Sequence, residues 1–148
     1  MKQSLLFLIT LCIQSFGFAD FQTPRICYSA DQSISEYVPQ TFCFESISYD
    51  QKNTIIIKGA NLDGIFPITN KELDREDRLS LTTIQNFVDV VEPDCSHAEQ
   101  ADLILTAFVE QNMIDPSQLK IQVRYAATME DCHSAPMTKL IDYRYHQP

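Results

Sequence analysis

The chain has 148 residues, with 11 basic and 20 acidic side chains, a formal net charge of −9, five cysteines and no tryptophan. That length suits one domain large enough to bury a core of its own. The negative balance, with no local cluster of Lys and Arg, repels phosphate backbones and anionic membrane surfaces, so nucleic acid is not an expected partner.

"MKQSLLFLITLCIQSFGFA" (1–19) reads as a cleaved signal peptide. Lys2 supplies the positive end, Leu5 to Ile13 an apolar stretch, and Gly17 and Ala19 the small residues before a cut at Asp20. Thr10, Cys12 and Gln14 interrupt the apolar run, which falls short of the roughly 20 residues a span requires. The expected organisation is therefore a signal at 1–19 and one secreted or periplasmic, disulfide-stabilised domain at 20–148. No membrane span is expected after cleavage, and removal of Lys2 takes the net charge to −10.

In the remainder, "RICYSA" (25–30) and "TFCFESISY" (41–49) read as strands paired across a loop from Asp31 to Gln40. Phe42 and Phe44 followed by Ser46 and Ser48 break a clean alternation, which predicts a bulge or a change of environment there. "DQKN" is a four-residue turn leading to the strand "TIIIK" (54–58), and Gly59 and Gly64 bracket the loop that follows.

The segment "NKELDREDRLSLTTIQNFVDVVE" (70–92) carries two competing patterns. Asn70 as a cap, acids in the first turns, and Leu73, Leu81 and Ile84 near one face predict a helix around 72–85 followed by a short strand. A strand from Leu79 to Val91 is the alternative. Beyond it, "ADLILTAFVE" (101–110) is continuously apolar, as for a strand covered on both faces. Leu119 to Ala127 and Ile141 to Tyr145 alternate cleanly. Those three read as an antiparallel meander. The fold class expected from these elements is α+β, mainly antiparallel β: two antiparallel β units and one helix around 72–85. An all-β sandwich is the alternative.

Loss of Cys12 with the leader leaves Cys27, Cys43, Cys95 and Cys132, an even set that an exported chain joins as two disulfides. A hairpin centred near Ser35 pairs Cys27 with Cys43. The meander brings the turn before its first strand to the turn after its second, which pairs Cys95 with Cys132. The same edge gathers His97, His133, Asp94 and Asp131, with Glu99 and Glu130 close by, and two imidazoles plus a carboxylate can hold zinc or copper. An acidic, solvated rim is the plainer reading of these turn residues.

Catalytic signatures are missing. No serine sits in a G-x-S-x-G setting, no calcium loop occurs, and only Gly59 and Gly64 remain for phosphate-cradling turns. "ELDRED" (72–77) mixes acids with Arg75, as on a solvated surface. Tyr143 and Tyr145 share a face with Ile141 and belong to the core, whereas Tyr37, in the 31–40 loop, is the candidate partner-contact residue. The sequence thus points to an exported binding domain, not an enzyme, with a protein or basic peptide partner. An envelope Zn/Cu-binding protein using the His97/His133 edge is the second reading, and a small secreted hydrolase the third.

Overall fold

The computed structural model describes residues 25–50, 52–74, 76, 78–94, 97–128 and 137–146. Its strands are β1 (Ile26–Ser29), β2 (Thr41–Phe44), β3 (Ser46–Asp50), β4 (Thr54–Lys58), β5 (Gly64–Pro67) and β6 (Asn70–Leu73). They continue with β7 (Leu79–Val91), β8 (Ala98–Glu110), β9 (Met113–Ile114), β10 (Lys120–Thr128) and β11 (Met137–His146). The only helical turn among the described residues is the 3-10 turn Pro116–Gln118.

Every pairing is antiparallel. The large sheet runs β2-β1-β11-β10-β8-β7-β6, with β9 added beside β8, and the small sheet runs β3-β4-β5. One residue, Glu45, separates β2 from β3, and two, Ile68 and Thr69, separate β5 from β6. These two bent segments serve both sheets. Following the pairings from β1 through β2/β3, β4, β5/β6, β7, β8, β10 and β11 leads back to β1, so the curled sheet closes on itself at one end. Strands that switch sheets at a bend are the usual corners of such packings.

The first corner explains the broken alternation at 41–49. Phe42 and Phe44 are buried in the large sheet, whereas past Glu45 the packed residues are Ile47 and Tyr49. The Glu45 N–H donates to the Lys58 carbonyl at 2.7 Å, which continues the small sheet's ladder up to the bend. The chain passes so close here that a Cβ on Gly59 would lie 2.3 Å from the Phe44 Cα. Outside the bend, Asn61 finishes the exposed edge of β2: its Oδ1 accepts from the Cys43 N–H at 2.6 Å and its Nδ2 donates to the Thr41 carbonyl at 2.7 Å.

The expected helix at 72–85 is not formed, and the fold is not α+β. Residues 70–73 are β6, and Leu79–Val91 is one long strand, as in the alternative all-β reading. The acids that suit a helix start instead build a tight turn. Asp74 Oδ1 accepts from the Glu76 and Arg78 N–H groups at 2.9 Å each, and Arg78 Nε donates to Asp74 Oδ2 at 2.8 Å. Leu81 and Thr83 face the core before a register shift between Asn86 and Val88, and Val88 faces it afterwards. That bulge interrupts the two-residue period late in the strand; of the apparent helical face before it, only Leu81 is buried, while Leu73 and Ile84 are exposed.

The expected antiparallel meander is present as β8, β10 and β11. However, β8 is not covered on both faces. Ala101, Leu103, Leu105, Ala107 and Val109 are buried, while the residues between them are partly exposed. One outward residue, Phe108, stays shielded because the Arg78 guanidinium lies 4.7 Å from its ring centre. The core fills the concave side, with Phe44, Ile55, Leu105 and Ile121 fully enclosed.

Candidate functional site

Register places the chemistry-bearing side chains in rows across the concave face. One row is Val90, Glu99, Ala127 and Met137; the next is Val88, Ala101, Tyr125 and Lys139. Both lie toward the end of the sheet where β7 turns into β8 and where β10 ends and β11 begins. The 31–40 loop folds over this end. Its turn at Glu36 and Tyr37 is closed by a bridge between Ser35 and Val38, and Val38 is buried.

Glu99 is the exceptional residue here. It is only 6% exposed. Its Oε1 lies 2.7 Å from His97 Nε2, while its buried Oε2 has no hydrogen-bond partner among the described residues. Burial first, then the Glu99 charge and the hydrogen-bonding approach of its carboxylate, push the Tyr125 phenol above its ordinary pKa, while Ser35 pulls it partly back. Tyr37 is 43% exposed, and a hydrogen bond with Glu36 followed by the charges around it, Glu92 and Glu99 included, also raise its phenol.

Beside this cluster runs a groove of about 440 Å³. One wall is Asp31, Gln32, Ser33 and Ile34, Tyr125 contributes to the floor, and the opposite wall is the Lys139–Asp142 stretch of β11. The groove exists because β1 pairs with β11 only at Arg144–His146, whereas β11 residues 137–143 pair with β10 alone. Their outer backbone edge has no strand beside it among the described residues. Leu140 is 58% exposed on that edge, and an Arg144–Asp31 contact of 3.6 Å closes one end.

Of the sites expected from sequence, Cys27 and Cys43 are directly opposite one another on β1 and β2 and lie at disulfide distance. Cys95, Cys132, His133 and Asp131 lie outside the described residues. The pairing of Ala98 with Thr128 and of Ala127 with Met137 does bring the chain segments leading to them to one edge. Asp94 is described and has a partner. His97 is engaged by Glu99, and no group of three or more His, Cys, Asp or Glu able to hold a metal occurs among the described residues. Tyr37 stands on the loop that closes the site.

Sequence reading placed Glu99 only as a neighbour of the histidines and gave Tyr125 no role. Both were legible in principle, since the alternation of 119–127 and 99–109 puts them on the core face, where a carboxylate is out of place. Among the described residues no serine or cysteine is hydrogen-bonded to a histidine. None of the helices there is long and apolar enough to cross a membrane. Comparison of the chain with protein-family models, with curated proteins and with solved structures finds no match.

Proposed function

We propose that this is an extracytoplasmic, non-catalytic binding domain that takes up an extended segment of a protein partner in the groove beside β11. The unpaired 137–143 edge is the observation that carries the reading. A strand edge with open N–H and C=O groups, flanked by a loop wall, is the template used in recognition by strand addition. The groove lining is balanced, with Asp31 and Asp142 against Lys139 and Arg144, so the preference for a basic segment rests on the overall net charge of −9. The Cys27–Cys43 pair fits an oxidising compartment, secreted or periplasmic, and ties down the hairpin that carries the loop wall. Holding that loop in place reduces the entropy lost on binding.

Capture from an extracytoplasmic extract tests the proposal, using the mature domain beside a Leu140→Lys/Asp142→Lys form. Lysine on a strand edge discourages further pairing. One stoichiometric partner retained by the wild type and lost by the variant, with unchanged unfolding curves, is the expected result. Equal capture by both forms would remove the groove from the account.

The second reading, an envelope zinc- or copper-binding protein, has one observation in its favour. Glu99 holds Nε2 of His97, which is the arrangement that orients the other ring nitrogen toward a metal. Calorimetric titration of zinc and copper into metal-free protein separates the two readings, and an absence of binding at micromolar metal ends the second.

A further inference from the structure

A second opening lies on another wall of the molecule and does not depend on the groove beside β11. The pairing of β6 with β7 stops at Thr82, and β5 pairs only with β4. Between β5 and the Gln85–Phe87 stretch of β7, no backbone ladder closes the wall among the described residues. A cavity of about 190 Å³ occupies the gap.

Its deep surface is aromatic and aliphatic. Phe42, Phe66 and Leu103 are each buried, and Phe87 stands edge-on to Phe42 with ring centres 6.2 Å apart. Phe42 also packs on Tyr143 at 4.9 Å, so this wall is anchored in the core and keeps its shape. An apolar cavity of about 150 Å³ is enough to hold benzene, which leaves room here for one ring and one or two further carbons.

Asn61, Asp63 and Gln85 supply the polar part of the lining. Asn61 already spends its amide on the β2 edge. Asp63 is the one charged residue lining the cavity; its Oδ1 accepts from the Gly59 N–H at 3.3 Å, which leaves Oδ2 for another donor. An aromatic deep wall beside a single carboxylate, in a protein of net charge −9, attracts a cation and disfavours an anion of the same shape.

We propose that this cavity binds a small arylalkyl ammonium ion, its ring held among Phe42, Phe66, Phe87 and Leu103 and its ammonium facing Asp63. A ligand of that size reaches affinities on the order of micromolar to millimolar. NMR titration of the full mature protein with benzylamine, benzyl alcohol and phenylacetate provides the test. The expected outcome is saturable shifts at Leu103 and Phe87 with benzylamine, at least about fivefold weaker binding of benzyl alcohol, and none of phenylacetate.

Asp63→Asn, at an exposed position, is expected to weaken benzylamine about fivefold or more and leave benzyl alcohol unchanged. Phe87→Trp, which fills the cavity, is expected to weaken both. Equal binding of amine and alcohol, or indifference to Asp63→Asn, would overturn the ammonium assignment. The absence of saturable shifts at Leu103 and Phe87 at millimolar benzylamine would overturn the site.

Discussion

The Tyr143 hydroxyl donates a 2.7 Å hydrogen bond to the Pro39 carbonyl, so a buried residue of β11 holds the far end of the loop whose near end walls the groove. Tyr143→Phe keeps the ring and its packing on Phe42 while deleting that bond. The expected cost is about 1 kcal/mol of stability. Amide exchange in residues 31–40 is expected to quicken more than in β8. Equal protection of the loop in both forms would show that the bond does not hold it.

Joining Cys27 to Cys43 closes a loop with a sequence separation of 16. The chain-entropy model assigns a link of this span about 3 kcal/mol as a ceiling. Replacing both cysteines by alanine should lower the urea midpoint accordingly and leave the slope nearly unchanged. Reductant should then have no further effect on unfolding through this pair.

At the first corner the prediction concerns space and not conformation. Gly59→Ala sets a methyl group against the Phe44 backbone, which can yield only if β2 and β4 move apart. Destabilisation of about 1–3 kcal/mol is expected, read as a Tm lowered by several degrees. Asn61→Ala, next to it, leaves the Cys43 N–H to solvent and should cost less, because that edge is exposed.

The pH response has a definite sign at both ends. Desolvation pushes the Asp74 carboxyl up, but the Arg78 and Glu76 N–H groups and the Arg78 guanidinium outweigh it and hold it below 3.8. Ser117 lowers Asp115 in the same way. Both groups therefore contribute stability that is complete above their ordinary value and lost as pH falls through the lower, folded values. Burial raises Tyr143 to about 12 and Tyr28 further, so their contribution is complete below 10.0 and lost as pH rises through the folded values. Denaturant midpoints between pH 2 and 12 should form a plateau with an acid shoulder below about 4 and an alkaline one above about 10. An acid limb starting near pH 6 would point to other groups.

The sequence was most legible where the pleat is regular. The periods of 119–127 and 141–145, and the turns at 50–53 and 35–38, follow from local chemistry alone. It was least legible at 70–91, where two local facts conspired. The acids before Arg78 satisfy a hairpin turn as well as a helix start, and the extra residue at Phe87 shifts which side chains face inward. Nothing local distinguishes those options; the pairing of Leu79–Val91 with β8 along its whole length decides it. Sequence drew attention to the 31–40 loop and to His97, but neither Tyr37 nor His97 lines the groove. The groove itself depends on how far β1 runs along β11, and such a distant register leaves no mark in either segment.

The union of β1 with β11 also sets an order of events. During folding the β1–β2 hairpin must wait, with one edge bare, until Arg144–His146 can dock against it. Contacts so remote in sequence form slowly and leave sticky intermediates in the meantime. A domain built this way should depend on a holding chaperone while it folds more than its modest size suggests.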